Sequence, residues 1–181
     1  MQLDMVGRNI GRYEIREKIA EGGMAHVYRA YDPQIDRAVA LKILKSEHSV
    51  DGEHQDRFLL EGKAAGVLNH PNIVTIFDVG SLDGTPYIMM ELLEGMTLGD
   101  LLRQGQLLPT RVIIKIAMQL ADALAYAHDK GVVHRDLKPD NIVLGADGES
   151  IKIADFGIAR IAEAANHETT QAGMILGTPR Y

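Results

Sequence analysis

The sequence contains no cysteine, which excludes disulfides, thiolate metal sites and thiol-based redox switches. It has no uninterrupted apolar run of about 18 residues, so we expect no membrane-spanning helix within it. Residues 1–11 carry Asp4 and Arg8 and lack the apolar centre of a secretory signal. We find neither an internal repeat nor a low-complexity segment. These absences leave the class of ordinary globular domains.

The sequence has fewer basic than acidic residues. Lysine and arginine number 19 against 25 aspartates and glutamates, which gives a formal net charge of −6. Domains that bind nucleic acid usually present a basic face, so we expect no nucleic-acid partner. What is present suits a globular protein, because 46% of the 181 residues are hydrophobic and 24% are charged.

Two polar stretches in the second half of the chain have the residue types of a magnesium–phosphate site. Residues 134–141 read HRDLKPDN and residues 155–157 read DFG. The apolar runs 142–144 and 151–153, with a turn between them, predict a small hairpin that would hold the two stretches side by side. Magnesium prefers oxygen ligands, usually one or two carboxylates together with substrate phosphates. The side chains that this hairpin would bring together are those of Asp136, Lys138, Asn141 and Asp155.

These strings resemble the catalytic loop and the metal-binding loop of a protein kinase, and the lysine two places after the aspartate is the serine/threonine-kinase pattern. The residues Gly22 to Ala25 and Asp155 to Arg160 are similar to those of bacterial eukaryotic-like (Hanks-type) serine/threonine kinases. The resemblance implies an α+β, bilobal kinase fold. A complete five-stranded first lobe with one regulatory helix would cover residues 1–90, a hinge 91–95, and a partial, mainly helical second lobe 96–181.

The resemblance also implies an activity, the transfer of the γ-phosphate of ATP to serine and threonine hydroxyls of protein substrates. Asp136 would accept the proton of the substrate hydroxyl and orient it, and Lys138 would stabilise charge on the γ-phosphate. Asn141 and Asp155 would hold Mg²⁺, with Mn²⁺ as the alternative metal. The implied partners are ATP, protein substrates and a second copy of the chain for autophosphorylation. The expected location is the cytoplasm, and a membrane anchor beyond residue 181 is left open.

A lysine lies inside an apolar strand predicted over Arg37 to Leu44, where Val39-Ala40-Leu41-Lys42 resembles the kinase V-A-I-K motif. A buried lysine is costly unless it is paired. Spacings of three and four residues place Phe58, Glu61, Ala65 and Leu68 on one face of a helix, so Glu61 is the predicted partner. Lys42 would then hold the α- and β-phosphates. The alternative is a lysine that snorkels outward at a strand edge.

The same predicted helix contains Gly62 and Gly66, each of which costs about 1 kcal/mol relative to alanine. Two interpretations remain open. The helix is either a mobile regulatory element or closely packed against a neighbour.

A glycine-rich turn joins the first two predicted strands, the second of which covers Met24 to Tyr31. Glycine lets backbone amides approach an anion, and the turn resembles the kinase glycine-rich loop. Only Gly22 matches that motif, and an ordinary hairpin turn is the alternative. We expect His26 to be an exposed loop residue. The residues implied to contact the nucleotide here are Ala20, Glu21, Gly22, Gly23, Met24, Ala25, Val27 and Ala40.

Two further strands, Ile73 to Val79 and Pro86 to Glu91, precede a segment that resembles the kinase hinge. Backbone groups of Glu91 and Leu93 would bind adenine, and Met90 would guard the back pocket. A plain strand end is the alternative. A short helix is predicted over Thr97 to Gln104 and a long one from Pro109 to about Lys130. Its predicted core-facing stripe is Ile113, Ile116, Ala117, Leu120, Leu124 and Ala127.

The segment 157–178 resembles an activation loop, and the residues after it resemble the start of a substrate-docking segment. We expect autophosphorylation at Thr169 or Thr170, with Arg135 as the partner of the phosphate. Thr178 would bond to Asp136 and Lys138. The alternative is a solvated, unmodified loop.

The resemblance covers residues 10–181 and lacks the A-P-E motif and the helices that follow it. The 181 residues alone are therefore expected to be poorly stable and weakly active, because an apolar face would be exposed. A pseudokinase or scaffold is the alternative function, although Lys42, Asp136 and Asp155 are all present. A P-loop nucleotidase is excluded because no G-x-x-x-x-G-K-S/T occurs.

Overall fold

The computed structural model describes residues 5–48, 52–82 and 84–156. The chain divides into two compact units. The first contains the residues up to His70 together with Val74–Glu94, and the second contains Pro71–Ile73 and the residues from Gly95 onward. Among the described residues, none of the helices has the length and apolarity that a bilayer crossing needs.

A six-stranded antiparallel sheet forms most of the first unit, in the spatial order β1-β2-β3-β4-β6-β5. Its strands are β1 (Asn9–Ile10), β2 (Tyr13–Glu21), β3 (Ala25–Asp32), β4 (Arg37–Leu44), β5 (Ile76–Leu82) and β6 (Thr85–Glu91). The sheet has one strand more than the five predicted. The additional strand, β1, pairs with the start of β2 across a turn in which Gly11 has φ 57°. Two residues are too few to show the alternating pattern by which strands are recognised.

Alternation along these strands gives the sheet two apolar faces. One face carries a cluster of buried side chains: Ile10, Tyr13, Ile15, Tyr28, Ala30, Val39, Leu41, Ile43 and Met89. A second cluster includes Phe58 of the helix α1 (Gly52–Ala65), which packs with Ala25, Leu44 and Ile88 of the sheet. The first unit is therefore a sheet with one helix against it, as predicted.

Gly62 lies where α1 meets the sheet. A Cβ atom at this position would be 2.9 Å from a methyl carbon of Val79 and 2.9 Å from a side-chain carbon of Ile88. These distances are shorter than carbon–carbon contacts in packed interiors. Of the two interpretations for the glycines of this helix, close packing is therefore the one that the structure supports at Gly62.

The second unit contains two helices, a 3₁₀ turn and a small antiparallel sheet in the order β7-β8-β9. These elements are β7 (Met96–Thr97), α2 (Leu98–Arg103), α3 (Thr110–Asp129), the 3₁₀ turn (Pro139–Asn141), β8 (Ile142–Leu144) and β9 (Ile151–Ile153). The predicted hairpin is present with the predicted strand bounds. Thr97 is the N-cap of α2, where Asp100 completes a capping box.

The segment Pro71–Ile73 joins this second unit through β9. The amide of Ile153 donates to the carbonyl of Asn72 at 2.8 Å, and Ile73 forms a parallel bridge with Ile153. The strand predicted from Ile73 therefore begins only at Ile76, because Ile73 already pairs with β9.

The buried face of α3 differs from the predicted stripe. Ile116 and Ala127 are buried as predicted, but Ile113 is 52% exposed and Ala117 is exposed. Leu120 and Leu124 are half-buried, and the half-buried side of the helix also carries a polar residue, Gln119.

The Gln119 side chain hydrogen-bonds to the chain around β9. Its Oε1 accepts from the amide of Ile151 at 3.1 Å and from Asn72 Nδ2 at 2.8 Å. Its Nε2 donates to the carbonyl of Glu149 at 2.8 Å. These bonds turn the face that carries Gln119 toward β9, whereas an apolar pattern places a glutamine outside.

Candidate functional site

Lys42 and Glu61 form an ion pair within the first unit. Lys42 Nζ lies 3.3 Å from Glu61 Oε1, and the two side chains are 15% and 17% exposed. Lys42 is on β4 between the buried Leu41 and Ile43, and Glu61 is on α1. A lysine snorkelling outward is therefore excluded. The structure contains the pair that helical spacing predicted.

The glycine-rich turn connects β2 to β3. The amide of Gly22 donates to the carbonyl of Ala25 at 2.9 Å, and the amide of Lys45 donates to the carbonyl of Met24 at 2.9 Å. A Cβ at Gly22 would meet only the Ala25 carbonyl oxygen, at 3.5 Å, and one at Gly23 would meet nothing within 4 Å. Neither glycine has the positive φ that would require it. The turn conformation alone does not account for these two glycines.

The Glu21 carboxylate at the end of β2 is surrounded by basic groups. It contacts Lys18 and lies 3.1 Å from Lys45 Nζ, and hydrogen bonds from Lys18 and then Lys45 lower the pKa of Glu21 to about 2. His26 is opposite Glu21 in the β2–β3 register, with Nδ1 3.8 Å from the carboxylate.

His26 is buried, at 6% exposure, so the expectation of an exposed loop residue is wrong. It belongs to β3 and pairs with Ile43 of β4, which brings its ring into the sheet. Burial lowers the pKa of its imidazole. Its Nδ1 has no hydrogen-bond partner in the described part of the chain.

The predicted hinge begins at the end of β6. Met90 is buried, and the amide of Glu91 donates to the carbonyl of Thr75 at 2.9 Å. An adenine contact from Glu91 would therefore use its carbonyl group. Leu93 is half-buried.

The loop 134–141 in the second unit brings three candidate residues together. Lys138 Nζ lies 2.7 Å from Asp136 Oδ2, and both side chains are about one-third exposed. The buried Asn141 donates from Nδ2 to the carbonyl of Asp136 at 2.9 Å, and its amide donates to the carbonyl of Lys138 at 2.9 Å. A carboxylate, an ammonium and a carboxamide are thus held in one hydrogen-bonded loop.

His134 connects this loop to the end of β9. It is 2% exposed, its Nε2 lies 3.0 Å from the carbonyl of Ala154, and its Nδ1 accepts from the amide of Asp136 at 3.3 Å. The contacts identify Nε2 as the protonated nitrogen of a neutral ring, and burial lowers the pKa of this histidine. Its ring centroid is 4.6 Å from that of Phe156.

Asp155 follows β9 with φ 53°, and Arg135 has φ 62°. Both are left-handed conformations that cost a non-glycine residue about 1–3 kcal/mol and are typical of functional sites. The amide of Ala154 donates to the carbonyl of Asn141 at 2.8 Å, which fixes the residue before Asp155 to the loop.

The donor atoms of Asn141 and Asp155 suit a hard cation. Because Asn141 Nδ2 is bound to Asp136, its Oδ1 is the side-chain atom left for a metal. An amide oxygen and a carboxylate are ligands that Mg²⁺ and Mn²⁺ take together with phosphate oxygens. The remaining predicted site residues, Thr169, Thr170 and Thr178, lie outside the described residues.

Two residues that the sequence did not single out contact this loop. Gly99 and Arg103 of α2 lie against Asp140, which precedes Asn141. A glycine inside a short helix was the available signal, since glycine is unfavourable there without a reason.

Comparison with known proteins identifies a family. Residues 13–181 match the model of the protein kinase domain. PknL, a serine/threonine-protein kinase of Mycobacterium tuberculosis, is 41% identical over 170 residues, which are 94% of this chain and 42% of PknL. PrkC, a serine/threonine-protein kinase of Bacillus subtilis, is 42% identical over 178 residues, which are 98% of this chain and 27% of PrkC. The chain thus spans less than half the length of these relatives.

Solved structures agree with these matches. The crystal structure of the M. tuberculosis PknI kinase domain has a TM-score of 0.73 and 32% identity, covering 84% of this chain and 62% of that one. The apo form of PpkA-294 has a TM-score of 0.76 and 25% identity, covering 92% of this chain and 67% of that one.

Proposed function

This chain belongs to the protein kinase domain family, among the bacterial eukaryotic-like serine/threonine kinases, and on that premise we propose that it transfers the γ-phosphate of ATP to serine and threonine hydroxyls of proteins. The observation that carries the proposal is the hydrogen-bonded loop of Asp136, Lys138 and Asn141. It provides a hydroxyl-orienting carboxylate, a cation and a metal ligand within one loop.

Asp136 accepts the proton of the hydroxyl of the protein substrate and orients the hydroxyl oxygen toward the phosphorus. Phosphoryl transfer has a loose transition state, so this positioning matters more than strong basicity. Lys138, 2.7 Å from that carboxylate, neutralises charge on the transferred group.

Asn141 and Asp155 are the residues that would hold the divalent metal, Mg²⁺ or Mn²⁺. When bound, such a metal would offset the negative charge on the phosphate oxygens as the phosphoryl group is transferred. The chain contributes the fixed direction of the Asn141 side chain, which the Asp136 carbonyl sets, and the strained backbone that orients Asp155.

The nucleotide is held by residues of the first unit. Lys42, fixed by Glu61, binds the α- and β-phosphates. The glycines at 22 and 23, whose presence the turn itself does not require, admit the phosphates close to the backbone. Adenine lies against Val27 and Ala40, next to Met90, and bonds to backbone groups of Glu91 and Leu93. The rest of the turn, which completes the contact, is Ala20, Glu21, Met24 and Ala25.

Regulation follows from the residues around the loop. Autophosphorylation in trans at Thr169 or Thr170 provides a phosphate for Arg135, which is exposed in the structure. Thr178 bonds to Asp136 and Lys138 when substrate docks. Because ATP is a cytoplasmic metabolite, the residues act in the cytoplasm, whether or not the protein is anchored to a membrane elsewhere.

Residues 1–181 by themselves are a weakly active and poorly stable form of the enzyme. The support is the surface of α3, where Ile113, Ile114 and Met118 are all more than half exposed. Adjacent exposed apolar side chains favour association over a stable monomer.

The test replaces Asp136 in the full protein and measures two properties separately. Asp136→Asn should lower the rate of phosphate transfer to a protein substrate by about 10²–10⁴-fold, because the oriented base is lost. Binding of ATP with Mg²⁺, measured by calorimetry, should persist. Asp129→Asn, at the exposed end of α3, is the matched control and should keep full activity.

The outcomes separate the proposal from its alternative. Transfer by Asp136→Asn at the wild-type rate would refute the assignment. A wild-type protein that binds ATP with Mg²⁺ but transfers no phosphate would instead be a nucleotide-binding pseudokinase or scaffold.

A further inference from the structure

The chain from Gly95 to Arg103 lies directly against the loop that carries Asn141. Thr97 of β7 pairs with Val143 of β8, so β7 holds the start of α2 beside the residues that follow Asn141. Gly95, with φ 150°, is so close to β8 that a Cβ would be 2.1 Å from the carbonyl oxygen of Leu144. Only glycine fits there.

One turn further along, Gly99 meets Asp140. A Cβ at position 99 would be 2.5 Å from Asp140 Oδ1, 2.8 Å from its Cγ and 3.2 Å from its backbone nitrogen. Glycine inside a helix costs about 1 kcal/mol relative to alanine, so its presence in α2 has a structural reason. The backbone of the helix rests on the carboxylate and the amide of Asp140.

Arg103 holds the same carboxylate from the next turn of α2. Its Nη1 lies 2.7 Å from Asp140 Oδ1, and its Nη2 lies 2.8 Å from Asp100 Oδ1. Asp100 is itself fixed by the capping box, since its amide donates to Thr97 Oγ1 at 2.9 Å. Gly99 therefore blocks movement of Asp140 toward the helix, and Arg103 opposes its movement away.

Asp140 is the middle residue of the 3₁₀ turn that ends at Asn141. Asn141 makes three hydrogen bonds at once: its amide donates to Lys138, its carbonyl accepts from Ala154, and its Nδ2 donates to Asp136. Every one of these partners is a proposed site residue or adjoins one. A shift of Asp140 would therefore be transmitted to the direction of the Asn141 amide oxygen.

We propose that Gly99 and Arg103 are positioning residues, which fix Asp140 so that the Asn141 side chain points toward the metal of the metal–nucleotide complex. The inference rests on the proposed function for the identity of that complex. It adds two residues of α2 to the machinery, neither of which touches the reacting atoms.

The test measures metal affinity directly, with Mn²⁺ as the probe. In the full protein with saturating ATP, Mn²⁺ binding is followed by water-proton relaxation, and the Mg²⁺ requirement for phosphate transfer is measured in parallel. Gly99→Ala should weaken Mn²⁺ binding by about tenfold, within the range found when the supports of metal ligands are removed.

A second variant, Arg103→Gln, separates a loss of metal binding from a loss of folding. The Arg103–Asp140 pair is solvent-exposed, so losing it should leave the melting temperature almost unchanged. It should still weaken Mn²⁺ binding severalfold. Gly52→Ala is the matched control, since a Cβ there meets nothing within 4 Å and the position is remote in sequence from α2.

Wild-type Mn²⁺ affinity in both Gly99→Ala and Arg103→Gln would overturn the positioning role. Failure of the proposed function has a different signature: the wild-type protein would bind Mn²⁺ with ATP and transfer no phosphate, and the affinities of the variants would still decide the role of α2.

Discussion

Lys42 places a positive charge among apolar neighbours of β4, and the partner on α1 makes this burial tolerable. Because periodicity alone put Glu61 on the inner face of the helix, this pair could be predicted from sequence. His26 could not. A histidine beside a glycine-rich turn suggests a loop, whereas the register of β3 with β4 decides its burial.

The buried His26 predicts a pH dependence of stability. Burial lowers the pKa of its imidazole below the value of about 6.5 in an unfolded chain. The groups facing it are Lys18 and Glu21 of β2, and Lys45 and Glu47 after β4. As the pH falls below the unfolded value toward the folded one, the unfolded chain binds more protons, so stability decreases. His134 acts in the same direction.

His26→Asn should therefore reduce the loss of unfolding free energy between about pH 7 and pH 5, as measured by urea titration at each pH. His128→Asn, on the exposed side of α3, is the control and should keep the wild-type profile. Equal profiles for His26→Asn and the wild-type protein would contradict the expectation.

At the scale of elements, the strands and helices with strong local signals match their predictions. β4, β8 and β9 have the predicted bounds, and α2 lies within the helix predicted over Thr97 to Gln104. The stripe of α3 was right at Ile116 and Ala127 but wrong at Ile113 and Ala117. The hydrogen bonds of Gln119 toward β9 were not predicted. The approach of Gly99 to Asp140 was also beyond prediction, since it depends on two elements that are 37 residues apart at Arg103–Asp140.

The packing of α1 can be tested at Gly62, because close packing and loose packing predict opposite signs for the change in unfolding free energy caused by Gly62→Ala. Alanine raises helix propensity by about 1 kcal/mol, so a loosely held helix would be stabilised by Gly62→Ala. In the structure, the added methyl collides with Val79 and Ile88, two stiff β-branched side chains. Overpacking of this kind costs about 1–3 kcal/mol, so we expect net destabilisation in urea unfolding.

Gly52→Ala separates propensity from packing at the same helix, because its Cβ meets no neighbour within 4 Å. It should be neutral or slightly stabilising. A stabilised Gly62→Ala variant would support the mobile interpretation of α1.

At the scale of the whole molecule, the division into units is not a division of the chain into two continuous pieces. The first unit contains residues on both sides of Pro71–Ile73, while these three residues belong to the second. From sequence, Pro71 marks the end of a helix and nothing more. The hydrogen bonds of Asn72 could not be predicted from the local sequence pattern, because their partners, Gln119 and Ile151, are distant in sequence.

The side chain of Asn72 binds the segment Pro71–Ile73 to α3 and β9. Its Nδ2 donates to Gln119 Oε1 at 2.8 Å and to the carbonyl of Ile151 at 2.9 Å. Asn72→Ala leaves these partly buried acceptors without that donor and should destabilise the second unit by about 1–3 kcal/mol. Hydrogen exchange of the β9 amides would report the loss. Asn69→Ala, which lies outside Pro71–Ile73, is the comparison and should leave β9 protection unchanged.

Because the first unit is made of two separate chain segments, the protein cannot be divided into its two units at one position. No single cut yields both units whole, because a piece that starts at Gly95 lacks the Asn72 carbonyl and the Ile73 bridge to β9. A fragment or chimera that keeps the second unit intact must include residues 71–73 together with the residues from Gly95 onward.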